Sequence, residues 1–163
     1  EAACLTCSFR RGAPIPTILH PSRPSLPLLE TKMFSVTAMT SAILVDSSVW
    51  VDHFRHGNEA LTTLLHQDRV LVHPFVIGEI ACGTPPDRAR VLAWLAELRS
   101  TQICSLNELM AFIERHRLYG LGCGLVDLML LASTLMTENA LLWTLDRRLN
   151  SLAERFGIAH TVR

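Results

Sequence analysis

Lysine is almost absent from this chain: Lys32 is the only one in 163 residues, so from residue 42 onward every fixed positive side-chain charge is an arginine. The absence excludes whole classes of mechanism. There is no Walker-type lysine to cradle a nucleotide phosphate, no amine to form a Schiff base, and no lysine of the kind that receiver domains set beside an acidic pocket. Long apolar runs are missing too. The longest, LMLLASTLM at 128–136, follows Asp127 and is interrupted by Ser133 and Thr134; it is far short of the roughly 20 residues that cross a bilayer. No internal repeat is present. A secretory signal needs a continuous apolar segment, and the proline-broken ILHPSRPSLPLL does not supply one.

Cysteine is sparse and unpatterned. Five are present, an odd number, and Cys82, Cys104 and Cys123 show no metal-ligand spacing. They read as buried, reduced thiols of a cytoplasmic protein. Cys4 and Cys7 form a CxxC, but no second pair or histidine pair completes a zinc site. Nor is there a strong excess of charge. The net charge is zero, with residues 1–41 at +2 and the remainder, 11 Arg against 13 acids, at −2. Any nucleic-acid binding must therefore come from a local arginine patch and a metal rather than from bulk charge.

What is present is a single-domain quantity of hydrophobic side chains: 49% of residues, with a mean hydropathy of +0.28. Their distribution divides the chain. Residues 1–41 hold five of the eight prolines and lack apolar periodicity, and are expected to form an extended or disordered arm. Met33 or Met39 is expected to be the translational start, which would leave the upstream residues outside the native protein.

From residue 42 to 163 the pattern is regular. AILV reads as a buried strand, followed by the helix SSVWVDHFR with Ser47 or Ser48 as its cap. NEALTTLLHQ is a helix opened by Asn58, RVLVHP an alternating strand, FVIGEIAC a helix stopped by Gly83, and PPDRARVLAWLAELRS an amphipathic helix with Pro at its start. TQICS reads as a strand, then LNELMAFIERH and GLVDLMLLASTLM as helices, LLWTLD as a strand, RRLNSLAERF as a helix and IAHTV as a last strand. Strands separated by helices predict an α/β fold with a mainly parallel sheet flanked by helices, and a site outside the carboxyl ends of the strands.

Four acids sit where a charge is costly, at the ends of or within apolar segments: Asp46 after AILV, Glu79 in FVIGEIACG, Asp127 in GLVDLMLLAS and Asp146 in LLWTLD. Singly, each has a structural explanation: a helix cap, a solvated first-turn acid, a charge meeting a helix dipole, a partner for Arg147 or Arg148. Jointly they suggest a gathered carboxylate site for a divalent cation. No Ser-His-Asp or Cys-His arrangement competes, and His53, His56 and His66 read as surface or packing residues. Arg55, Arg147 and Arg148 either contact phosphates or form a solvated helix face. Trp50 and Phe54, four apart, belong to the core or to a partner groove. A haloacid-dehalogenase-like phosphatase fits poorly, because Ser48 stands where that chemistry wants a second aspartate.

The order DSSVWVDHFR, GEIACG, GCGLVDLMLLAS and LWTLDRRL, over residues 42 to about 160, resembles the PIN-domain ribonucleases, in particular the VapC toxins of bacterial toxin–antitoxin pairs. The resemblance implies a PIN-like three-layer fold and a metal-dependent endoribonuclease using Mg2+ or Mn2+. Asp46 and Asp127 match family metal ligands, Glu79 matches the acid that completes the pocket, and Asp146 matches the acid that acts through water. Thus Asp46, Glu79, Asp127 and Asp146 are the expected catalytic and metal-holding residues, with Ser48 and Thr144 as supporting hydroxyls. An RNA substrate, a product with a 5′-phosphate, a VapB-like antitoxin that inserts a basic side chain, a homodimer and a cytoplasmic location follow as expectations. The alternative is a non-catalytic PIN-like binding module with a structural cation site.

Overall fold

The computed structural model describes residues 41–162; the expected N-terminal arm lies outside the described residues. Within them, four short strands form one wholly parallel sheet in the order β3-β2-β1-β4. The strands are β1 (Ala42–Val45), β2 (Val70–Val72), β3 (Arg99–Ser100) and β4 (Ala140–Trp143). Successive strand side chains point to opposite faces. Because Ile43, Leu44 and Val45 are all buried, and so are Val70, Leu71 and Val72, both faces of the sheet centre are covered. Continuous apolar strands of this kind are what a doubly covered parallel sheet demands. RVLVHP is correspondingly not an alternating strand, since β2 has no solvent face.

Seven helices complete the described residues: α1 (Ser47–His56), α2 (Glu59–His66), α3 (Pro74–Cys82), α4 (Arg88–Glu97), α5 (Leu106–His116), α6 (Leu125–Met136) and α7 (Arg147–Arg155). Helix α1 packs on α3 and α3 on α4, while α6 packs on α5, α7 and β4. Helix α6 is the most enclosed, with every residue from Leu128 to Thr134 buried. A helix apolar on all sides has to be a core helix. Trp50 is fully buried; it stacks on Phe54 with ring centroids 6.0 Å apart and meets Trp94 edge-on at 5.6 Å. Of the two readings of the Trp50 and Phe54 pair, the structure therefore selects the core.

Several boundaries differ from the sequence reading for local physical reasons. The cap of α1 is Asp46 rather than Ser47 or Ser48, because its Oδ1 accepts the Ser47 N–H at 2.7 Å. The third strand is Arg99–Ser100 rather than TQICS. The chain leaves β2 after a single further bond, Thr101 N–H to the Val72 carbonyl, and Cys104 N–H then turns to the Ser133 hydroxyl. The amphipathic helix α4 begins at Arg88, after Asp87 in a left-handed conformation, and not at the prolines. IAHTV contributes one bridge, Leu142 to Ala159, not a strand. Of the body cysteines all three are free, but only Cys104 is buried; Cys82 is exposed and Cys123 half-buried.

Strand order locates the crevice. From β1 the chain steps to β2 and β3 on one side, and only β4 lies on the other. Connections leave β1 and β4 in opposite directions, and in parallel sheets a ligand crevice is expected at such a switch point, outside the carboxyl ends of the strands. Packing of α6 should dominate stability. Leu130→Ala, at a fully buried position, is expected to cost about 2–5 kcal/mol in urea unfolding, whereas Leu135→Ala, at an exposed position on the same helix, should fall within about 0.5 kcal/mol of the parent.

Candidate active site

The backbone of Asp46 extends the pairing of β1 with β4, donating its N–H to the Trp143 carbonyl at 2.9 Å. Its carboxylate is buried at the head of the cleft and held by donors on both oxygens. Oδ1 accepts the Ser47 N–H at 2.7 Å and the Ser47 hydroxyl at 3.3 Å; Oδ2 accepts the Ser48 hydroxyl at 2.5 Å and the Thr144 hydroxyl at 2.8 Å. Such bonds offset the loss of water around the charge. They also fix the side chain, since the donors come from both α1 and the end of β4.

Those hydroxyls reach onward to the other strand end. Ser48 Oγ accepts the Leu145 N–H at 3.0 Å, and Thr144 Oγ1 accepts the Asp146 N–H at 3.0 Å. Asp146 is the N-cap of α7, its Oδ1 accepting the N–H groups of Arg148 at 2.8 Å and Leu149 at 2.9 Å. The residue as a whole is exposed. Ser48 and Thr144 thus stitch β1 to β4 through the acids that follow them.

Glu79 and Asp127 come from helices instead, in the second turn of α3 and the first turn of α6. Asp127 Oδ2 accepts the Gly124 N–H at 2.7 Å, closing the start of α6. Burial lifts its carboxyl above the ordinary range; the Gly124 N–H opposes this, and the charges of Asp46 and Asp146 add to it. Glu79 is an exposed residue whose carboxyl is nevertheless desolvated enough to be raised. A Ser47 hydrogen bond opposes that rise, and Asp46 and Asp127 reinforce it. All four acids therefore belong to one electrostatic neighbourhood, Asp46 to Glu79, Asp46 to Asp127 and Asp127 to Asp146. Cys123 shares it: burial, Asp127 and Asp146 push its thiol up to about 11, with Arg148 pulling the other way.

The donor set is all oxygen, which suits a hard cation such as Mg2+ or Mn2+. The side chains do not, however, form a closed ligand shell as they stand. Among the described residues no three His, Cys, Asp or Glu side chains lie together at ligating reach. The structure brings the four acids within reach of one another's charge, and it turns the oxygens of Asp46 toward hydroxyls.

One buried polar pair between the helices that carry Glu79 and Asp127 escapes sequence reading. His73 follows β2 and is fully buried; its Nδ1 accepts the Phe75 N–H at 3.1 Å, capping α3, and its Nε2 meets Ser133 Oγ of α6 at 3.2 Å. The helix that carries Glu79 is thereby tied to the helix that carries Asp127. Nothing in HPF distinguishes such a histidine from a turn residue. Of the other histidines, His53 is buried against Trp50 and accepts the Asn58 N–H at 3.0 Å, His56 pairs with Asp52 at 3.0 Å on the surface, and His66 is exposed.

A model of the PIN domain matches residues 43–155. This chain belongs to the PIN-domain family. Its VapC-type character follows from two relatives named Ribonuclease VapC32, from Mycobacterium tuberculosis strains CDC 1551 / Oshkosh and ATCC 25618 / H37Rv. Each is 40% identical over 117 residues, covering 72% of this chain and 94% of the relative. In this PIN domain Asp46 and Asp146 follow the carboxyl ends of β1 and β4, the neighbouring strands at the switch point.

Raised carboxyls have a defined sign. Their folded-state protons are held more tightly than in the unfolded chain, so their contribution to stability is present below the ordinary carboxyl range, about pH 4, and is lost as pH rises through the raised values. Without added metal, Glu79→Gln and Asp127→Asn are therefore each expected to raise the melting temperature at pH 7.5, with the gain shrinking towards pH 4.5. Differential scanning calorimetry across that interval checks this; a melting temperature lowered by both substitutions at pH 7.5 would contradict the electrostatic account.

Proposed function

We propose that the chain is a divalent-metal-dependent endoribonuclease acting as the toxin of a type II toxin–antitoxin pair. The observation that carries the reading is the group of four carboxylates at the switch point, two of them raised by burial and by their neighbours' charge. Uncompensated acids cost stability, and a site keeps them only where something positive is to be met. The relatives' name, ribonuclease, supports the same reading.

In this reading Asp46, Asp127 and Glu79 would hold Mg2+ or Mn2+, and Asp146 would act through water rather than directly. A bound divalent ion supplies charge neutralisation and Lewis-acid chemistry for phosphodiester hydrolysis with water as nucleophile. The chain's own residues do the rest. Ser48 and Thr144 hold Asp46 in one orientation, Asp146 caps α7, and Glu79 and Asp127 supply carboxylates whose repulsion by their neighbours a cation would relieve. Water rather than a ribose hydroxyl would attack the phosphorus and the 3′-oxygen would leave, so the product would carry a 5′-phosphate. A VapB-like antitoxin with a basic side chain would satisfy the same acids, and a homodimer and a cytoplasmic location belong to the reading. The described residues contain no helix long and apolar enough to cross a membrane.

A non-catalytic module with a structural cation is the second reading; the open spacing of the acids favours it. Cleavage of a mixed-sequence RNA with Mn2+ and with EDTA separates the two. EDTA, Asp46→Ala and Asp127→Ala should each abolish cleavage, and Thr144→Val should slow it by the roughly 10–100-fold typical of residues that orient a ligand. Equal cleavage by all of them would remove the acids from the mechanism.

A further inference from the structure

The segment that leads into α6, residues 119–124, reads YGLGCG and holds Gly120 and Gly122 in left-handed conformations, with φ of 73° and 78°. Such a stretch has little conformational preference of its own to define the approach to Asp127. One side chain from another element lies along it. Arg148, in the first turn of α7, donates from Nη1 to the Gly122 carbonyl at 3.1 Å. The contact extends along the side chain: a Cβ built on Gly122 would stand 2.8 Å from Nη1, 3.0 Å from Cζ and 3.1 Å from Cδ. Gly122 thus serves two needs, a positive φ and room for the guanidinium. The same Arg148 donates its backbone N–H to Asp146.

We propose that Arg148 is a positioning residue: its side chain latches the 119–124 segment against the start of α7 and thereby sets Asp127 opposite Asp146. Arg148 acts through backbone at both ends, with its backbone N–H on Asp146 and its guanidinium on the carbonyl two residues before Gly124, whose N–H in turn bonds Asp127 at 2.7 Å. The role rests on the reading of the four acids as one working group, and it contrasts with a contact from Arg148 to an RNA phosphate. Charge separates the two. A phosphate contact is lost when the arginine is lost and is indifferent to Gly122; Gly122→Ala keeps every charge, crowds the guanidinium and also strains the positive φ, so Arg148→Ala, which leaves the glycine in place, is the variant that decides the latch.

The test compares full-length wild type, Arg148→Ala, Arg148→Lys and Gly122→Ala in three measurements. In metal-free protein, amide exchange at Gly124 should speed up about tenfold in Arg148→Ala and in Gly122→Ala, and recover in part in Arg148→Lys, whose ammonium can still reach one carbonyl. In calorimetric titration with Mn2+ alone, the same two variants should bind about tenfold more weakly. In cleavage of a mixed-sequence RNA they should lower kcat with the salt dependence of KM unchanged, because a lost phosphate contact would instead reduce that slope by about one charge. Unchanged Gly124 exchange in Arg148→Ala overturns the latch. So does a shallower salt slope in Arg148→Ala together with wild-type behaviour of Gly122→Ala. If wild type neither binds Mn2+ nor cuts RNA while Gly124 exchange still rises in both variants, the proposed function fails and the latch stands.

Discussion

The pairing of β1 with β4 is the contact on which the site depends. It joins Ala42–Val45 to Ala140–Trp143 across nearly the whole described chain, in register from Ala42 with Ala140 to Val45 with Trp143. The closure of so long a loop has an entropic cost, and it is met by apolar residues buried on both faces of both strands. Everything at the cleft inherits that register. Shifting it by one residue would reverse the faces of β4 and carry Thr144 away from Asp46. The hydroxyl bonds from Ser48 and Thr144 are therefore a consequence of core packing, and they convert a sheet register into the placement of a carboxylate.

The four acids divide into two kinds by what holds them. Asp46 and Asp146 follow strand ends and have an oxygen saturated by backbone or hydroxyl donors. Glu79 and Asp127 project from helices, and burial and neighbouring charge act on both in the same direction. The His73 to Ser133 bond ties those two helices together away from the charges. Burial lowers the basicity of His73, which keeps it neutral and able to cap α3 with Nδ1 while Nε2 faces Ser133. The neutral tautomer with the proton on Nε2 is the one that satisfies both contacts.

How far the chain could be read without coordinates depends on the range of the interactions involved. AILV, LLW and the helix around LMLLAS were legible because burial on all sides leaves an unbroken apolar run. Asp46, Glu79, Asp127 and Asp146 stood out because charge is costly in such runs, and their order resembled one family. The cap of α1 was ambiguous because Asp46, Ser47 and Ser48 are all good caps in succession, and only the backbone decides among them. The third strand was displaced by two residues because its hydrogen-bond partner, Val72, is distant in sequence while its own composition, Arg-Ser, is not strand-like. His73 was invisible for the same reason: its partner Ser133 is 60 residues away. The spacing of the acids is also a product of tertiary structure, whereas Ser48 and Thr144, which bond Asp46, stood among the expected supporting hydroxyls because the family resemblance placed them there.

The neutral overall charge finds its meaning in this arrangement. With 11 arginines against 13 acids from residue 42 onward, the body has no broad field to attract a polyanion. On the proposed function, selectivity for an anionic substrate would be conditional on what the acids hold. Four acids alone repel phosphate; the same acids neutralised by a divalent ion would draw it in, so the sign of the local field would change with the ion rather than with the protein. Arginines placed inside the cleft would cancel that condition by pairing permanently with the acids. Arg148 avoids this in its geometry, since its guanidinium meets a glycine carbonyl and its backbone, not its charge, meets Asp146. A cation kept at the edge and bonded to neutral backbone leaves the carboxylates free to respond to the ion.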